Sequence, residues 1–114
     1  MMFDKRCVDK IKAGEKCVTR RLIKSNRRPA VPGRIHKMKI DRTPKIHGYI
    51  LINSCTKSKL KDITEKEAKR EGFGSVQEYL EYFRYVNNIK GPLNKEYEVW
   101  RVRFTYLGKL KFIT

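Results

Sequence analysis

Cysteine is scarce in this chain. Cys7, Cys17 and Cys55 are the three present in 114 residues, and no two of them form a C-x-x-C pair. With only His36 and His47 to supplement them, no zinc or other metal site is expected, and no cofactor. Long apolar runs are missing too. No segment approaches the roughly 20 residues that cross a bilayer, and Met1-Met2-Phe3-Asp4-Lys5-Arg6 lacks the apolar stretch of a signal peptide. A cytoplasmic protein with reduced, partly buried thiols is expected, with no membrane partner. The candidate first helix is too short and mixed to argue for binding at a membrane surface. Repeats, low-complexity tracts and linkers are also lacking, so residues 1–114 read as a single domain around one core.

The most telling shortage is of negative charge. Residues 1–61 hold 4 acidic side chains against 18 Lys and Arg, whereas residues 62–114 hold 8 against 10. The formal net charge of +16 therefore lies almost wholly in the first half. A polyanion tracking that half releases many condensed counterions, the usual source of nucleic-acid affinity. Solubility alone requires no such lopsidedness. Hydrophobic residues make up 39% of the chain, enough to fill a core, which argues against disorder despite 35% charged residues.

What is present divides into helix and strand patterns. Phe3, Cys7, Val8 and Ile11 fall at helical spacing, predicting a short helix over 3–13 that ends at Gly14. Cys17 to Ile23 reads as a strand, with Val18 and Leu22 on one face and Thr19, Arg21 and Ile23 on the other. A basic, proline-bearing loop over 24–33 closes with the turn signal Pro32-Gly33. Strands follow at 34–40 and about 47–55. Thr64-Glu65-Lys66-Glu67 and Ser75-Val76-Gln77-Glu78 each carry the capping-box pattern that opens a helix. The first helix stops near Gly72, and the second runs to about Asn87 with Val76, Tyr79, Leu80 and Phe83 on one face. In the last strand Trp100, Val102, Phe104 and Tyr106 point one way and Val99, Arg101 and Arg103 the other. Few strands mixed with helices give an α+β class, and a small barrel would hide the sheet edges.

The chemistry-bearing stretch is Gly14-Glu15-Lys16-Cys17-Val18-Thr19-Arg20-Arg21, at the helix-to-strand junction. A glycine there permits a sharp turn and a close ligand approach. Lys16 must lie in the turn and reach back, while Thr19 and Arg21 share a strand face. The spacing of Gly14, Lys16 and Arg21 resembles the G-x-K-x-x-x-x-R signature of the ASCH domain, a PUA-like family. Three further pieces resemble that family: Pro32-Gly33, the segment from Ile63 to Phe73, and Glu98 to Phe104. Together they span nearly the whole chain. Arg34 is a departure, since many members carry an Asp after the Pro-Gly.

The resemblance implies a PUA-like small mixed β-barrel with flanking helices, and RNA or a modified nucleoside as partner. Some members of the family deacetylate acetylcytidine with a Lys, a Thr and a Glu, and the matching positions are Lys16, Thr19 and Glu71. In that scheme Lys16 takes the proton of Thr19, whose hydroxyl attacks the acetyl carbon, and Glu71 steers the proton. Arg21 then steadies the oxyanion. A metal-independent ribonuclease is a further alternative, and a protein-interaction module has no motif in its favour. Plainer readings stand beside these. Lys16 and Arg21 simply hold a phosphate, Thr19 is a strand former, and Glu71 pairs with Lys16. A nucleic-acid-binding set of Gly14, Lys16, Arg20, Arg21, Lys24, Arg27, Arg28, Arg34, Lys37 and Lys39 surrounds this core. Lys57, Lys59 and Lys61 extend the basic track, and Tyr49 or His36 is placed to stack on a base, although Tyr49 reads more simply as core. The sequence carries no signal for oligomeric state.

Overall fold

A computed structural model describes residues 1–94 and 96–109. The chain opens with a two-residue strand, β1 (Met2–Phe3), and a helix, α1 (Lys5–Lys12). The helix predicted over 3–13 therefore starts later than its periodicity suggests. Phe3 is strand, and Asp4 is the N-cap, its carboxylate accepting from the Cys7 amide. β2 (Val18–Leu22) follows, then β3 (Ile35–Lys37) and β4 (Lys39–Ile40), which are one extended run interrupted at Met38. β5 (Tyr49–Lys59) is longer than the 47–55 expected, because its polar half, Ser54 to Lys59, stays paired with the last strand beyond an irregularity at Asn53. A single 3-10 turn leads to α2 (Glu65–Arg70), α3 (Val76–Val86) and the closing strand β6 (Glu98–Gly108).

All three helices end the same way. Glu15 N–H donates to Lys10 O, Phe73 to Ala68 O and Ile89 to Arg84 O, each a bond that wraps the last turn. The residue before each donor has positive φ: Gly14 at 78°, Gly72 at 92° and Asn88 at 54°. At Gly14 an added Cβ meets nothing within 4 Å, so the backbone conformation alone selects glycine. At Gly72 a Cβ also meets Lys10 Cδ at 2.8 Å and Lys16 Cβ at 3.4 Å, so glycine lets the α2 terminus approach the Lys16 turn.

The strands form a four-stranded antiparallel sheet in the order β2-β6-β5-β3 and a parallel pair β1-β4. Because β4 continues β3, the order runs on as β2-β6-β5-β3/β4-β1. β2 and β1 then face each other across the remaining gap. There the Arg21 Nη2 donates to Met2 O at 2.7 Å, and its guanidinium stacks 4.9 Å from the Phe3 ring. The barrel expected by analogy with PUA-like domains is thus not closed by backbone pairing; the Arg21 side chain bridges an open β1–β2 seam.

The sheet is covered on both faces. Trp100, Val102 and Phe104 pack with Ile50, Ile52 and Met38 and with Cys7, Val8 and Ile11 of α1. Val99 on the opposite face packs with Leu60, Ala68, Phe73, Tyr79 and Phe83 under α2 and α3. The aromatic stripe of β6 is core, as its period-2 pattern predicts. Cys7 and Cys55 are buried, and all three cysteines are free thiols.

Candidate functional site

A cleft of about 770 Å³ occupies the seam, lined by Met2 and Phe3 on one side, Thr19 and Arg21 on the other, and Tyr82 and Tyr85 above. Its β2 wall is a backbone edge. Cys17 O accepts from Phe104 N and Ile23 N donates to Glu98 O, so the odd-numbered residues turn their amides to β6. By the alternation of an antiparallel ladder, Val18, Arg20 and Leu22 turn theirs to the cleft.

Lys16 reaches this edge from the turn after Gly14. Its Nζ lies 2.8 Å from Val18 O, 3.2 Å from Glu71 O and 2.5 Å from Glu71 Oε1. Three oxygen acceptors thus take its three protons. The Lys16 and Glu71 side chains are each 1% exposed. The other Glu71 oxygen accepts from Arg20 Nη1 at 3.0 Å, while Arg20 Nη2 donates to Glu67 Oε1 at 2.7 Å. Glu67 also takes Arg70 at 3.0 Å and the Arg101 Nε. Burial by itself would raise the Glu67 carboxyl, but the bonds from Arg101, Arg20 and Arg70 outweigh it and hold it at about 2. Two carboxylates therefore anchor four cations directly behind the cleft wall. A buried charge is stable only when paired and hydrogen-bonded in this way. Among the described residues, Arg20 Nε is the one side-chain nitrogen or oxygen wholly shut off from solvent that lacks a partner.

The candidate residues sort as follows. Lys16 and Glu71 are ion-paired, and Thr19 lines the same cleft. The Thr19 hydroxyl makes no hydrogen bond to Lys16 or to any other described residue. Arg21 ties the seam instead of pairing with Lys16. Arg20, expected on the basic rim, is buried within the carboxylate network. Its register explains this: it lies opposite Arg101, on the sheet face turned to α2. Lys24, Arg27, Arg28, Arg34 and Lys37 are exposed and Lys39 is half-buried; none makes an ion pair among the described residues.

Glu67, Arg101, Asp4 and Tyr82 also belong to this site, beyond the residues expected there. Tyr82 donates to Asp4 Oδ2 at 2.6 Å and its oxygen lies 3.1 Å from Cys7 Sγ, opposite Lys16 across the cleft. Burial, then the bond to Asp4, pushes the Tyr82 hydroxyl well above the usual phenol range, so it stays a donor. Tyr82 lies three residues beyond core-facing Tyr79, the signal that places it on the flank next to the core. No three His, Cys, Asp or Glu side chains come together as a metal-holding group among the described residues. Nor is any helix there long and apolar enough to cross a membrane.

This constellation, with Lys16 and Glu71 sealed behind a barrel seam, coincides with a match of the ASCH domain family model to residues 1–107. The chain belongs to the ASCH domain family. Solved structures agree on the fold. An ASCH domain from Lactobacillus crispatus superposes with a TM-score of 0.73 at 19% identity, covering 90% of this chain and 71% of that one. The hypothetical protein PH0355 gives 0.65 at 22% identity, covering 94% and 96%. ASCH from Zymomonas mobilis gives 0.59 at 18%, covering 93% and 67%. No curated protein matches this ASCH domain chain.

Proposed function

We propose that this ASCH domain binds single-stranded RNA, drawing a nucleotide into the β1–β2 seam and the flanking backbone across the 24–45 basic loops. The observation that carries this reading is the continuity of cleft and basic loop. Lys24 and Pro29 line the cleft, and Arg27 and Arg28 lie between them in the chain, exposed and unpaired among the described residues. Cations free of carboxylate partners are available to phosphates. Behind them, the outward amides and carbonyls of Arg20 and Leu22 supply the alternating donors and acceptors that a base edge pairs with. Membership of a family generally associated with RNA binding supports the same partner.

The test is equilibrium binding of a fluorescent single-stranded RNA to the parent and to an Arg27→Ala/Arg28→Ala variant. The double variant is expected to bind more weakly and to lower the slope of log K against log salt by about 0.7 for each phosphate it no longer holds. Unchanged affinity and slope would refute this placement of the strand.

A second reading, deacylation of an acetylcytidine-type nucleoside, is favoured by the unpartnered Thr19 hydroxyl beside Lys16 and Glu71. Against it, all three Lys16 donors are occupied by oxygens, so the amine is not free to take the Thr19 proton. Incubation with acetylcytidine decides between them. Binding alone leaves the nucleoside intact, whereas release of cytidine and acetate that disappears in Thr19→Ala establishes the hydrolase.

A further inference from the structure

We infer that Tyr85 is a stacking platform for a second base, flanking the one held in the seam; the inference rests on the RNA-binding reading and extends it to a residue outside the family signature. Tyr79, Tyr82 and Tyr85 recur every third residue of α3, and each step of three turns about 60° backwards around a helix. The row therefore walks out of the protein. Tyr79 is 2% exposed in the core, Tyr82 is half-buried at the cleft wall, and Tyr85 is 75% exposed. The Tyr85 side chain makes no hydrogen bond, ring contact or cation–π contact among the described residues, whereas Tyr82 is bonded to Asp4 and its ring packs 4.8 Å from that of Phe73. An open tyrosine ring has no folding role to explain it.

Its position supplies one. Tyr85 lines the seam cleft and also a second hollow of about 320 Å³, shared with Glu81, Arg84, Asn88 and Ile89. It is the ridge between the two. A strand whose one base enters the cleft passes its neighbour over this ring. Arg84 is held on the far side by its Nε bond to Ile89 O at 3.3 Å, which leaves both terminal nitrogens for a phosphate. Glu81 lies in the same hollow and disfavours a phosphate close to it, so the ring, and not a charge, dominates the contact. Base–aromatic stacking tolerates any base, because each has a π-face, and since it neutralises no phosphate it releases no counterions and leaves the salt slope unchanged.

That insensitivity separates this role from the basic loops. The experiment is fluorescence anisotropy of a labelled eight-nucleotide single-stranded RNA at three salt concentrations, with the parent, Tyr85→Ala and Tyr85→Trp. Tyr85→Ala is expected to bind roughly 10-fold more weakly at every concentration, with the parent's slope of log K against log salt, and Tyr85→Trp is expected to restore affinity. A Tyr85→Ala variant that binds as the parent does, or loses affinity only through a changed slope, overturns the stacking role and leaves RNA binding standing. A parent that binds no RNA overturns both. A parent that self-associates, with Tyr85→Ala shifting it to monomer, assigns the ridge to a second copy of the chain and likewise overturns the inference.

Discussion

Glu71 holds Lys16 at 2.5 Å and Arg20 at 3.0 Å with almost no exposure, so removing its charge leaves buried Lys16 without a carboxylate and takes one of two from Arg20. Glu71→Ala is expected to destabilise the protein by about 3–5 kcal/mol in urea unfolding, the usual cost of breaking one partner out of a buried pair. Glu96 provides the contrast. It meets Lys59 and Lys61 at 3.2 and 3.0 Å, but all three side chains are about half exposed. Its loss should leave stability nearly unchanged, because water screens an exposed pair. Glu67 contributes a pH dependence of definite sign. Its folded carboxyl is depressed to about 2 from an ordinary value of 4.5. The stability it confers is therefore complete above about pH 4.5 and is lost as pH falls towards 2. Unfolding measured from pH 6 to pH 2 should show this decline, and Glu67→Gln should flatten it; equal slopes in both proteins would contradict the assignment.

Elements were more legible than their connections. Period-2 and helical patterns located β2, β5, β6 and both later helices, and the capping signals were correct for Thr64 and Ser75, which accept from the Glu67 and Glu78 amides. Replacing either hydroxyl residue with alanine should cost about 1 kcal/mol in thermal or urea unfolding. Only half of each capping box forms, however. The Glu67 carboxylate is drawn to three arginines, and that of Glu78 bonds Gly74 N at 3.1 Å, not the Ser75 amide. Ion pairing across the fold outweighs a local bond, and no local pattern encodes it. β1 was missed for a similar reason, since two residues carry no periodicity and its pairing with β4 is 37 residues away. Arg20 was legible in part. Strand alternation places it with Val18 and Leu22, which is where it lies, although its charge suggested the rim.

At the scale of the whole molecule, the charge imbalance divides by location. The more nearly balanced second half supplies Glu67 and Glu71, which pair with Lys16, Arg20, Arg70 and Arg101 around the seam. The cations of residues 24–39 receive no such partners among the described residues and stay available to a polyanion. The family resemblance named Lys16 and Glu71 from sequence alone, and their ion pair is the plainer of the two roles it left open. That the cleft lies at an open β1–β2 seam, bridged by Arg21 on Met2 O, needed coordinates, because the joint is between a side chain and a distant strand. The central claim is that this unneutralised surface binds RNA through its phosphates. The most direct measurement is the affinity of the parent protein for a single-stranded RNA between 50 and 200 mM salt. A log–log slope of about −3 or steeper is predicted, as expected where four or more phosphates are contacted at roughly −0.7 each. A flat response, or no binding at 50 mM, would contradict it.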